Sequence, residues 1–146
     1  MGSRASFAII VGIALSIACS AQASFSHALI RASCAPWDGP AIDIRLTAEA
    51  AQCKDVTGPY LDMGVWRGVP IHAGQVVKLS SSSENEGFAS KCTKVGDCER
   101  AQSGTITFDT YKDGSGATGH YELHFKSGDV SDKFDAKWCE ERVVCR

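Results

Sequence analysis

Apolar positions recur along the chain with period two. Ile42, Ile44 and Leu46 alternate with Asp43 and Arg45, and Leu61, Met63 and Val65 alternate with Asp62 and Gly64. Such alternation marks strands with one face on a core and the other in water. The pattern sharpens in the last third. Ile106 and Phe108 alternate with Thr105, Thr107 and Asp109, and a turn follows at Lys112-Asp113-Gly114-Ser115-Gly116. Tyr121, Leu123 and Phe125 alternate with His120, Glu122 and His124 before a Ser127-Gly128-Asp129 turn, and Phe134, Ala136 and Trp138 alternate with Asp135 and Lys137. These three strands, joined by glycine turns, predict an antiparallel meander. Gln75 to Leu79 and Gly87 to Ala89 add weaker strands around the serine run Ser80–Ser83, expected as a solvated loop. Only Thr47 to Gln52 has helical composition, enough for one or two turns. The predicted fold is all-β, a small antiparallel sandwich or open barrel ending in a three-strand meander.

The first segment reads differently. Arg4 precedes a run from Phe7 to Ala18 broken only by Gly12 and Ser16, and Ala21 and Ala23 then supply an A-x-A cleavage pattern. This predicts a signal peptide over residues 1–23 and a single domain over residues 24–146. The apolar run is about a dozen residues, shorter than the roughly 20 a spanning helix needs, and no later run is long enough. Leu15-Ser16-Ile17-Ala18-Cys19 admits a second reading, a lipoprotein signal with lipid attached at Cys19, although Ser16 stands where an aliphatic residue is usual. Export holds on either reading, to the periplasm or exterior if soluble and to the outer membrane if lipidated.

Export changes the meaning of the cysteines. Both routes remove Cys19 from the count, leaving Cys34, Cys53, Cys92, Cys98, Cys139 and Cys145. Six cysteines in an exported chain read as three disulfides. Spacing favours local pairs: Cys92 with Cys98 across a Gly-Asp turn, Cys139 with Cys145, and Cys34 with Cys53. No C-x₂₋₄-C pair supports zinc instead, and paired sulfurs leave no cysteine nucleophile.

Charge narrows the partners. The formal net charge is −2 and the pI near 6.1, which gives no electrostatic basis for binding nucleic acid or an anionic membrane. One likeness bears on location. Phe134-Asp135-Ala136-Lys137-Trp138-Cys139, following Gly119-x-Tyr121-x-Leu123-x-Phe125 and the Gly128 turn, resembles the C-terminal ending of small uncharacterised exported or lipoprotein-type β proteins of Gram-negative bacteria. The resemblance covers the last third of the chain. It implies an envelope-facing β domain and brings no catalytic residues.

Two constellations could carry chemistry. His120, Glu122 and His124 lie two apart, so a strand projects them from one face. Two imidazoles and a carboxylate suit Zn²⁺, Cu²⁺ or Ni²⁺, given a further donor such as Asp109 or Asp135. The same residues also fit the solvated face of a half-buried strand. The second constellation is aromatic: Trp37 with Asp38 in a Pro36–Pro40 turn, and Trp66 with Arg67. Exposed tryptophans can stack on sugar faces while Asp38 or Arg67 bonds hydroxyls or a carboxylate. Buried, they would instead close the ends of the core, the commoner fate of large aromatics. Catalysis has little support, since G-x-S-x-G is missing and Glu140-Glu141 either point to opposite faces of a strand or sit in a loop. Asp109, Asp113 and Asp129 lie near turns but lack the calcium-loop order. The sequence therefore predicts an exported binding domain without enzyme activity or cofactor. Its partner would be a protein, in an inhibitor or immunity-type role, or a glycan. A periplasmic metal-binding protein using His120, Glu122 and His124 is the alternative.

Overall fold

A computed structural model describes residues 24–50, 53, 58–66, 71–80, 86–141 and 143–145. The predicted signal peptide, Cys19 and Arg67 lie outside these residues. The described chain is all-β: β1 (His27–Cys34), β2 (Pro40–Thr47), β3 (Tyr60–Trp66), β4 (Val76–Ser80), β5 (Gly87–Lys94), β6 (Asp97–Arg100), β7 (Ser103–Lys112), β8 (Gly116–Phe125) and β9 (Gly128–Cys139). They form one sheet in the order β4-β7-β8-β9-β1-β2-β3-β5-β6. It curls into a half-barrel, so the open-barrel expectation holds, and the described residues form no second layer of a sandwich. No described helix is long and apolar enough to cross a membrane.

The period-two pattern places the core on the concave face. Ile42, Ile44 and Leu46 of β2, Leu61 and Met63 of β3, Ile106 and Phe108 of β7, and Tyr121 and Leu123 of β8 are buried there in one cluster. The intervening residues make the convex, outer face. Gly119 opens room inside for two rings: a Cβ there would come 2.8 Å from Phe134 Cζ, and Phe134 packs edge-on against Phe108 with centroids 6.0 Å apart.

β7, β8 and β9 form the expected meander. Two strands escaped the sequence reading. β6 is only four residues long. β1 alternates weakly, and it pairs with β2 antiparallel but with β9 in parallel, through Ala28↔Ala136 to Arg31↔Cys139. The helical expectation for Thr47–Gln52 fails over the residues described, because Thr47 closes β2 and Ala48 and Glu49 form a bend. Residues 51 and 52 lie outside the description. Of the serine run, Ser80 ends β4 and Ser81–Ser83 are likewise outside.

The parallel β1–β9 pair explains the disulfides. It sets the two ends of the chain side by side, so the bonds are Cys34–Cys145 and Cys53–Cys139, with Cα–Cα distances of 5.6 and 5.7 Å. The local pairs Cys34–Cys53 and Cys139–Cys145 are thus corrected. Cys92–Cys98 forms as expected across the β5–β6 hairpin.

The sheet stops short of closure. β4 runs beside β5 without a shared ladder, and Glu86 bridges the seam. The Lys78 backbone N–H donates to Glu86 Oε2 at 2.8 Å, while the Trp66 N–H donates to the Glu86 carbonyl at 2.8 Å.

Candidate functional site

The outer face of β2, β3, β5 and β6 carries a run of aromatic side chains flanked by ion pairs. Its aromatic part begins in the β1–β2 turn. Pro36 presets the turn geometry, and the Asp38 N–H donates to the Ala35 carbonyl at 2.9 Å. Asp38 itself adopts φ 60°, a left-handed conformation that Asp tolerates better than most residues. The Ala35 N–H then donates to the Gly39 carbonyl at 2.8 Å, closing the turn. Trp37 projects from it and is 58% exposed.

Trp37 is exposed but supported. Its indole lies over Gly39, where a Cβ would come 2.6 Å from Nε1. Its ring meets Trp66 edge-on with centroids 5.3 Å apart. Trp66 in turn lies 6.3 Å from Phe88. Phe88 rests flat against β3 because residue 64 is glycine, and a Cβ there would come 2.2 Å from Phe88 Cε1. Arg100 sits over the Phe88 ring, its guanidinium carbon 5.4 Å from the centroid. The result is an aromatic strip laid across the strands, from the β1–β2 turn through β3 and β5 to β6. Sequence reasoning expected Trp37 and Trp66 either exposed or closing the core, and they stand on the outer face. It missed Phe88 and Arg100, whose only signal was their place on the polar side of short alternating strands.

A charge lattice flanks the strip. Arg45 forms a two-pronged pair with Asp62, Nε to Oδ1 at 2.6 Å and Nη2 to Oδ2 at 2.7 Å, and its guanidinium lies over Tyr60. Arg31 reaches Asp43 and Glu141, each at 3.7 Å. Burial pushes the Asp43 carboxyl above its usual pKa, against the lowering effects of the Ser33 hydroxyl and Arg31. The Asp62 hydrogen bond is the main influence raising Arg45. These two arginines are thus neutralised, whereas Arg100 forms no ion pair among the described residues.

His120, Glu122 and His124 do project from one face of β8, as expected. However, His120 Nδ1 lies 3.7 Å from Asp109, the residue at the β7 bulge, and His124 Nδ1 lies 2.9 Å from Asp129 on β9. The two imidazoles turn to opposite neighbours. No group of three His, Cys, Asp or Glu among the described residues could hold a metal. Glu122 and His124 instead border a shallow groove of about 350 Å³ with Lys78, Ser80, Ser103 and Thr105. Tyr121, beneath them, faces the core, and burial with the Asp132 charge pushes its hydroxyl up to about 12, so it stays protonated near neutrality.

Comparison with family models, curated proteins and solved structures finds no match.

Proposed function

We propose that this chain is an exported recognition domain that binds a macromolecule of the envelope or exterior through the Trp37–Trp66–Phe88 strip, without chemical conversion. The observation that carries the reading is Trp37 itself, a large aromatic that is mostly exposed yet fixed by Gly39 and Trp66. An aromatic fixed before contact loses little conformational entropy on binding. The three disulfides suit an oxidising compartment, and Cys92–Cys98 ties β5 to β6 beneath the strip.

The test is partner capture by the immobilised, disulfide-bonded chain from envelope and culture fluid. Trp37→Ala should abolish capture, and His120→Ala with His124→Ala should leave it unchanged. The reverse pattern would overturn the reading.

A further inference from the structure

We infer that Cys92–Cys98 is a thiol-exchange site, opened by a dithiol in the folded protein while Cys34–Cys145 and Cys53–Cys139 persist. The site stands whether or not the aromatic strip is the recognition surface. Three observations carry it. First, the strands fix the geometry. Cys92 and Cys98 lie directly opposite each other in the β5–β6 ladder, and their Cα atoms are 4.0 Å apart. A disulfide usually spans about 4.4–6.8 Å between Cα atoms, and one held outside that range stores strain that reduction releases. The two long pairs, at 5.6 and 5.7 Å, sit inside it.

Second, the two sulfurs differ in access. Cys98 is an exposed residue of β6, the last strand of the sheet, whereas Cys92 is 2% exposed. An incoming thiolate therefore meets Cys98 Sγ first, and strained, exposed disulfides are the exchangeable ones. The Tyr60 hydroxyl donates to Cys98 Sγ at 3.8 Å and holds that sulfur in place. In the long pairs Cys139 is buried and Cys34, Cys53 and Cys145 are half-buried.

Third, other contacts hold the hairpin when the bond opens. The Thr93 hydroxyl donates to Asp97 across the turn. The Ala101 N–H donates to the Ala89 carbonyl at 2.9 Å, and the Ser127 N–H donates to Glu99 Oε1 at 2.9 Å. The two thiols thus stay opposed and can close again.

The exchange runs in two displacements. One thiolate of the dithiol attacks Cys98 Sγ, and Cys92 Sγ leaves with the electron pair of the S–S bond and takes up a proton. The second thiolate of the dithiol then attacks its own sulfur in the mixed disulfide and expels Cys98 Sγ, which is protonated in turn. Two electrons pass to the cystine, and the dithiol departs as a cyclic disulfide. Where no second thiol arrives, Cys92 attacks Cys98 and restores the bond, acting as a shielded resolving cysteine.

The test equilibrates the folded, disulfide-bonded chain with graded ratios of reduced to oxidised dithiothreitol. Each sample is acid-quenched, alkylated and mapped by peptide mass spectrometry, with circular dichroism following the fold. Cys92 and Cys98 should be labelled together, at a ratio at least about tenfold lower than either long pair requires, with the β-sheet signal retained. Opening of a long pair first, opening of all three at one ratio, or labelling of Cys92 and Cys98 only as the sheet signal is lost would overturn the inference. The direction of attack is read in single variants exposed to oxidised glutathione. Cys98 in Cys92→Ser should be capped at least about tenfold faster than Cys92 in Cys98→Ser, since only an accessible sulfur exchanges readily. Equal rates, or faster capping of Cys92, would overturn the assignment of Cys98 as the attacked sulfur.

Discussion

Gly64 lies directly beneath Phe88: a Cβ on β3 at this position would come within 2.2 Å of the ring carbon Cε1. The missing side chain lets the ring lie flat and reach both Trp66 and Arg100. Gly64→Ala should therefore lift Phe88 off the sheet and cost about 1–3 kcal/mol, the usual range for overpacking. Urea unfolding reads the loss, and near-UV circular dichroism reads the displaced aromatic coupling. Adding Phe88→Ala should recover part of the stability, and strict additivity of the two changes would show that they do not meet.

Gly39 plays the matching part at the other end, under the Trp37 indole. Gly39→Ala should displace Trp37 while leaving the core intact. Fluorescence should register a changed tryptophan environment, with a melting temperature lowered less than for Gly64→Ala. An unchanged spectrum would mean that Trp37 does not rest on this residue.

The disulfides differ in the loops they close. Cys34–Cys145 and Cys53–Cys139 span 111 and 86 residues, whereas Cys92–Cys98 spans 6. In the chain-entropy model the long pairs contribute about 4–5 kcal/mol each and the short one about 2 kcal/mol. Replacing Cys34 and Cys145 with alanine should thus cost more in denaturant unfolding than replacing Cys92 and Cys98. Non-reducing peptide mapping should recover these three pairs and neither Cys34–Cys53 nor Cys139–Cys145.

Asp43 gives a pH signature. Burial raises its pKa in the folded chain above the ordinary 3.8, so the folded state holds this proton to higher pH than the unfolded state does. The associated stability is fully present below the unfolded value and is lost as pH rises through the folded one. Asp43→Asn lacks this loss. Its stability relative to the parent should therefore increase from about pH 3 to about pH 7, measured by urea unfolding. A decrease over that range would mean that the Arg31 and Ser33 contacts outweigh burial.

Much of the fold was legible because one-sided burial imposes period two. Ile42-Asp43-Ile44-Arg45-Leu46 announces β2, and the aromatic alternation of β7 to β9 announces the meander. β1 was hidden because Leu29, on the outer side, interrupts the Ala28, Ile30, Ala32 series. The long disulfides were hidden for a related reason. They follow from the parallel β1–β9 pairing, a contact between chain ends that cysteine spacing does not encode. The site was half legible. Tryptophan next to turn residues was visible, but the Phe88–Gly64 and Phe88–Arg100 contacts arise from strand register across β3, β5 and β6. The histidine face of β8 was read correctly as a face, yet Asp109 and Asp129, on the strands to either side, draw its two imidazoles apart.

The chain has three tryptophans, and they separate the two faces of the sheet. Trp37 and Trp66 lie on the outer strip, while Trp138 packs against the core on the inner face. Titrating ¹⁵N-labelled protein with the partner captured from envelope or culture fluid and following the three indole N–H signals tests the central claim most directly. The Trp37 and Trp66 signals should move together along one binding curve, with Trp138 still. Movement of Trp138 alone, or of none of the three, would contradict recognition of this ligand by the outer aromatic strip.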